Sequence, residues 1–527
     1  MKNDRFKLIY KLKSLLLVSI VFFTFSLSSC SKLYKLPENK GLRVSFIDVG
    51  QGDAILIEFN KGDKILIDGG EKNGKALAFL NNAKIKEIDK MIATHPHSDH
   101  IGGLVEILKN ISVKSVYTNE DIATTPIYEE FLDVIEKKGL NIDTLKRGDK
   151  IQVKEIVSLL PSMDDIKTNK DLFLLLLNND EIYLDLDSFS QKLNCKSSYI
   201  AEEKRVILEG EDLLIELQID SKKIKVNGEE KKISNPPMVV SNKILIPLKD
   251  LVVKILYGNF DSSYNVKEVN ISYKGKKYKI NFRNIDSKPL LAITNGKIIC
   301  TLPIRIISEI LGAKVGWDHK ERKYTIWIDE FKIEIWIDKL EVKVNGETIN
   351  LPIPPMIINE KAFIPFSPIL EAIGGSIEVD FDIKDMKAEI PKIHNLRVLN
   401  PPSKLFSDIN NNSIVLKFDY NDITFLFSGD AEKEAENDML KSKLNLNATI
   451  LKLGHHGSSS SSTERYLNAI TPEVAIYMAG KGNPYGHPHK EVLDRLEKIG
   501  VKVYGTDVNG SIVITTDGKS YSIETER

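Results

Sequence analysis

Apolar residues near the start of the folded part come in short runs, each closed by glycine or aspartate: LRVSFIDVG, DAILIEF and KILIDGG. Runs of this length ending in turn chemistry predict strands. GKALAFLNNAK then reads as a helix, EIDKMIATH as a buried strand, and IGGLVEILKN as a helix opening straight after a cluster of histidines. Strands alternating with helices predict an α/β layered core.

From about residue 165 the texture changes and the chain repeats itself. KVNGEEKKISNPPMVVSNKILIPL, residues 225–248, aligns without a gap on KVNGETINLPIPPMIINEKAFIPF, residues 343–366, an offset of 118. A second echo links LPIRIISEILGAKVGWD, residues 302–318, to IPFSPILEAIGGSIEVD, residues 364–380, an offset of 62. Duplication explains constant offsets, and one irregular domain does not. Beyond residue 391 the first texture returns, with SIVLKFDY, ITFLFSGD, NATILKLGHH and VAIYMAG. The pattern therefore predicts one α/β domain in two halves, residues 41–164 and 391–527, interrupted by an inserted repeat region, residues 165–390.

The length of 527 residues agrees with two or more domains, and the hydrophobic share of 42% and charged share of 28% are those of a folded protein. Residues 1–29 differ: five Lys/Arg and one Asp precede the apolar run LLLVSIVFFTFSL, which gives way to LSSC ending at Cys30. This is the layout of an export signal, and LSSC resembles the bacterial lipoprotein box, in which the cysteine is lipidated. The expectation is a signal peptide over 1–29, a polar tether over 30–40, and a working part held outside the cytoplasmic membrane by a lipid anchor at Cys30. An uncleaved anchoring helix is the alternative, although a span needs about 20 apolar residues. With that segment's charge set aside, the whole-chain value of −1 becomes −5, so any grip on a polyanion must come from a local patch or from metal ions. Cys195 and Cys300 have no CxxC or Cys/His spacing and read as buried free thiols.

The chemistry concentrates in THPHSDHIGG, residues 94–103. His95 and His97, two apart on an extended segment, project to one side, and Asp99 and His100 follow as the chain turns into a helix. Imidazole nitrogens and a carboxylate at that spacing can serve two ions, zinc or manganese. HxHxDH followed by IGG resembles the metallo-β-lactamase superfamily, whose hydrolases carry it at a strand end of an αββα sandwich.

The resemblance assigns further residues. Asp68 in ILIDGG matches the aspartate that orients the histidine loop, and Asp430 in FLFSGD matches the one that bridges both metals. LKLGHHGSSSSS supplies a last ligand, His455 or His456, with His455 favoured by its position after the strand. The serine run reads as a flexible loop without a Ser-His-Asp arrangement. Asp99 is expected to act in the reaction as well as in metal binding. His487, in YGHPHKE, is a candidate to contact phosphate or protonate the leaving oxygen, with a capping turn as the alternative.

Within the superfamily, FIDVGQGDAILIE, NNNSIVLKF, SGDAEKEAE, LKLGHHGS and NPYGHPHKEVLDRL resemble, in that order, the extracellular domain of ComEC-type DNA-uptake proteins. The insert is similar to the copper amine oxidase N-terminal-like, or stalk, domain, but the only soft donors there, His319 and the two cysteines, are at unrelated spacings, and no copper is expected. One departure is a missing histidine between HxHxDH and Asp430: Asn410–Ser413 stand in its place, since His394 comes too early. The multispan channel is absent too. Together these imply an extracytoplasmic phosphodiesterase with two divalent ions, a nuclease on DNA before other phosphoesters such as a cell-wall substituent. The competing class is a binding lipoprotein whose stalk repeats dock to cell wall or a surface partner.

Overall fold

Strand Ile55–Phe59 is buried at all five positions and Leu42–Phe46 at four of five. Both faces must therefore be covered, which is why these strands read as continuous apolar runs. Leu42, Val44, Phe46, Ile57 and Phe59 join a core with Phe418, Phe425, Phe427 and Ile476 of a second sheet. The alternate residues Ala54, Leu56 and Leu66 pack instead on Leu104, Val105 and Leu108 of helix Ser98–Asn110. On the other sheet, Val415, Leu426, Leu451 and Ala475 face Met439, Leu467, Val492 and Leu496 of helices Lys433–Lys441, Glu464–Ile470 and Lys490–Lys498. Helix, sheet, sheet and helix make four layers, the αββα sandwich.

This computed structural model describes residues 36–39, 41–160, 173–177, 181–210, 213–240, 243–261, 265–281, 290–294, 297–358, 360–382 and 387–527. The signal-like segment and Cys30 lie outside the described residues. Among those described, no helix is long and apolar enough to cross a membrane.

Two compact units divide the chain, one reaching to Val153 and resuming at Ile393, the other Lys154–Lys392. The first edge lies earlier than the expected 164/165 because Leu159 and Leu160 already pack in the core of the second unit. In the first unit the sequence-distant halves share a sheet: Leu42–Phe46 pairs antiparallel with Ile512–Thr516 on one side and with Ile55–Phe59 on the other. Lys64–Ile67, Glu87–Ile92 and Ser112–Thr118 then run parallel. In the second sheet Ile423–Phe427, Ile450–Lys452, Val474–Tyr477 and Lys502–Gly505 also run parallel. Asp68, His95, Asp430 and the His455–His456 pair all follow directly on the carboxyl ends of parallel strands, where ligands collect in α/β folds.

The second unit carries the duplication in its coordinates. Helices Leu186–Leu193 and Ile304–Leu311 are related by the same offset of 118. So are two five-stranded antiparallel sheets, which run from Lys196–Ile200 to Glu229–Lys232 and from Lys314–Asp318 to Glu347–Asn350. Asn227 and Asn345 occupy equivalent turns, each accepting a 2.7 Å bond from the backbone N–H of Leu214 or Lys332. The offset of 62 relates helix Ile304–Leu311 and strand Lys314–Asp318 to Ser367–Ala372 and Ser376–Asp382. Cys195 and Cys300 are free thiols, and burial pushes the Cys300 thiol up to about 12.

Phe418, wholly buried between the two sheets, tests the packing. Phe418→Ala should destabilise the first unit by about 3–5 kcal/mol, read as a lower denaturant midpoint of its unfolding transition; a loss under about 1 kcal/mol would contradict that placement.

Candidate metal centre

Helix Ser98–Asn110 starts inside the histidine cluster, three residues before the expected Ile101, with extended His97 at its N-cap. The carbonyl of His97 accepts from the N–H groups of His100 and Ile101. Asp99 therefore sits in the first helical turn, where the dipole favours a negative charge. Two glycines allow the close approach: a Cβ on Gly52 would collide with the Asp99 carbonyl, and one on Gly103 with the Gly69 carbonyl.

Asp430 is the centre of the arrangement. Its Oδ2 lies 3.2 Å from His100 Nε2, 3.3 Å from His456 Nε2, and 3.9 Å from both His95 Nε2 and His455 Nε2. Asp99 Oδ2 is 3.2 Å from His456 Nε2 and 4.0 Å from His100 Nε2. His95 Nε2 and His97 Nδ1 are 3.0 Å apart. His95, His97, Asp99, His100, Asp430, His455 and His456 are thus brought together.

The far nitrogens explain which way the near ones point. His100 Nδ1 faces Asp68 Oδ2 at 2.8 Å, and Asp68 is held by the Thr94 N–H at 2.8 Å and the Thr94 hydroxyl at 2.7 Å. His456 Nδ1 faces the Met478 carbonyl at 2.9 Å, and His455 Nδ1 faces Glu432 at 2.7 Å. Each partner only accepts, so each Nδ1 donates and each Nε2 is the atom turned toward Asp430, able to offer a lone pair to a cation once it carries no proton.

Between the two neighbouring histidines the geometry favours His456, against the expectation of His455. Both lie in the left-handed region, φ 43° and 55°, in the turn Gly454–Gly457, so the alternation of a strand does not carry into the pair. The turn sends His456 inward, with side-chain exposure of 1%, against 24% for His455.

The donor set fits a cation. His100 Nε2, His456 Nε2 and Asp430 Oδ1 are buried and have no hydrogen-bond partner outside the cluster itself. Such orphans are rare unless an ion completes them. Candidate ligand atoms of His95, His100 and Asp430, and of Asp99, His100 and His456, lie within 4.8 Å of one another. Burial lowers the His100 pKa, but Asp430, Asp68 and Asp99 outweigh it and hold it well above 6.5. The same balance, led by Asp430, raises His456, while burial and the neighbouring His100 keep His95 well below its ordinary value. Burial also raises Asp430, yet His456 and His100 reverse that and hold it well below the usual carboxylate range.

Above these residues opens a cavity of about 530 Å³ lined by His97, Asp99, Asp430, His456, Tyr485 and His487, among others. Burial first, then His456 and His455, push the His487 pKa down to about 4. Its ring is neutral at neutral pH, which suits contact with an anionic oxygen better than supply of a proton. Asn483 grips its backbone from both sides, at 2.6 and 3.0 Å.

Asn410 lines the cavity, but the segment standing where a further histidine was absent places Ser413 behind His95: its Oγ is 3.2 Å from His95 Nδ1 and accepts from the Asp430 N–H at 3.0 Å. His394 stacks on Phe59, away from the cluster. The serine run is not a flexible loop. Ser461 donates to the Gly454 carbonyl, and the N–H groups of Ser462 and Thr463 donate to buried Glu436. Two further residues of the cluster are given no role by the sequence resemblance: Asp53, in VGQGDA, and Lys452, in ILKLGHH. Both are buried and ion-paired to each other. A lysine inside a buried apolar strand was the available signal.

Residues 47–166 match the metallo-beta-lactamase superfamily. The chain carries a metallo-β-lactamase domain. Residues 166–257 and 279–387 match the copper amine oxidase N-terminal domain. ComE operon protein 3 of Bacillus subtilis is 33% identical over 159 residues, 30% of this chain and 20% of that protein. Competence protein ComA of Neisseria gonorrhoeae is 36% identical over 115 residues, 22% of this chain and 17% of its own length. The chain thus spans about a fifth of the curated relatives it matches. Among solved structures, a metal-dependent hydrolase of the beta-lactamase superfamily aligns over 88% of this chain and 95% of its own at 9% identity, with a TM-score of 0.27.

The raised His100 and His456 set metal binding and protonation in competition. In metal-free protein their protonated forms stabilise the fold fully below about pH 6.5, and that stability is lost as pH rises through their higher folded values. The Tm of chelator-treated protein should therefore fall as pH is raised above 6.5. Calorimetry in buffers of different ionisation enthalpy should record release of about two protons per chain when Mn²⁺ or Zn²⁺ binds at pH 7; no release would contradict the assignment.

Proposed function

We propose that the metallo-β-lactamase domain is a metal-dependent phosphodiesterase that works outside the cytoplasm, tethered through lipid at Cys30, with DNA at the cell surface as its substrate. The observation that carries the hydrolase reading is the set of buried, unbonded nitrogen and oxygen atoms converging on Asp430. His95, His97 and Asp430 would hold one divalent ion; Asp99, His100, His456 and Asp430 the other. Bound there, the pair would supply Lewis acidity for attack of water on a phosphoester.

The remaining roles belong to the chain itself. Asp68 holds the His100 ring through Nδ1, Met478 holds His456, and Ser413 backs His95. His487, neutral and immobilised by Asn483, is set to hydrogen-bond a phosphate oxygen, and exposed Tyr485 stacks beside it at 5.7 Å. Serine and asparagine in place of a further histidine leave room for substrate oxygens around the ion at His95 and His97, which favours a phosphodiester over a lactam. Likeness to competence proteins favours DNA. The copper amine oxidase-like repeats are assigned to wall or surface contact.

Purified protein supplied with Mn²⁺ or Zn²⁺ should cut single- or double-stranded DNA and bis-p-nitrophenyl phosphate. Asp430→Ala should lower the rate at least about 10³-fold and Asp68→Asn about 10–100-fold. Cleavage of the small diester alone would retain the phosphodiesterase and reject DNA. Turnover of neither, or unchanged turnover in Asp430→Ala, would reject the enzyme.

A further inference from the structure

Lys452 has no exposed surface, and burying an ammonium costs several kcal/mol unless it is well answered. It ends strand Ile450–Lys452, just before the turn that carries His456. Its Nζ forms an ion pair with Asp53 and donates to the Gly429 carbonyl at 3.1 Å, one residue before Asp430. Asp53 is fixed in turn by its backbone: its N–H donates to the Asp99 carbonyl and its carbonyl accepts from Gly70. One ammonium thus ties together the segments bearing Asp53, Asp430 and His456.

The second oxygen of Asp53 is the informative atom. Oδ1 is buried, makes no hydrogen bond, and lies 3.3 Å from His456 Nδ1, whose proton goes to Met478 instead. Ligand atoms of Asp53, Asp430 and His456 lie within 4.8 Å of one another. Asp53 is therefore a carboxylate within reach of the cation set but engaged by a lysine.

We propose that Lys452 is a positioning residue that cancels the charge of Asp53, keeps that carboxylate out of the cation set, and so sets how tightly the position bounded by Asp99, His100 and His456 holds its ion. The inference rests on the metal reading above. Its signature is electrostatic: removing the lysine leaves an extra negative charge beside the cation, and removing the aspartate leaves an extra positive one. A pair that merely supports the fold has no reason to produce effects of opposite sign.

The test is chelator competition for Mn²⁺ and for Zn²⁺ with the full chain, alongside the Tm of each metal-free variant. Lys452→Met should bind about tenfold more tightly and Asp53→Asn about tenfold more weakly, the scale of a unit charge a few ångströms from the ion. The double variant D53N/K452M should return near wild type. Both single variants weakening alike, or neither shifting, overturns the proposal. If Lys452→Met does not fold, the other two decide: weak D53N restored in the double variant supports it, and D53N at wild-type affinity, or a double variant as weak as D53N, overturns it. Wild-type protein that binds neither ion would instead reject the metal reading, and this inference with it.

Discussion

The carboxylate of Asp430, almost wholly cut off from water, faces four imidazole nitrogens within 4 Å and stands at the end of a parallel strand. A buried charge persists only where something of opposite sign answers it. Protons on His100 and His456 answer it in the metal-free chain, and divalent ions would answer it better. The surroundings are consistent with that demand. Every imidazole turned toward Asp430 has its other nitrogen committed to an acceptor or a hydroxyl, so little ordering remains to be done when a cation arrives.

Delivering these groups to one point is the work of the sandwich. The two sheets pack through Phe46, Phe418, Phe425 and Phe427, and each sends the carboxyl ends of its parallel strands to the same edge. Asp68 and the His95–His100 segment come from one sheet; Asp430 and His456 come from the other. Because Ile512–Thr516 pairs with Leu42–Phe46, the half of the domain that follows the repeats in sequence completes the sheet begun before them. An interruption of that kind lengthens a connection without changing the core, and loop entropy grows only slowly with length.

Much of this was legible in the residues. HxHxDH is readable because its donors fall in one short segment whose geometry is local, and Asp68 and Asp430 are readable because each closes an apolar run. The duplication is readable because its offset of 118 survives in helices, sheets and turns alike. What was not legible depends on contacts far apart in the chain or on unusual backbone. The inward turn of His456 was not legible, because two successive left-handed residues take the pair off the strand's alternation. The serine run is held by Glu436, and Asp53 acquires its partner from the opposite sheet. Neither is visible until the fold brings the segments together.

Anomalous diffraction from crystals loaded with Mn²⁺ or Zn²⁺ would show whether Asp430 stands between two ions. Two peaks that share Asp430 are expected, one beside His95 and His97 and the other among Asp99, His100 and His456. Peaks elsewhere, or an Asp430 that touches no ion in loaded crystals, would contradict that arrangement.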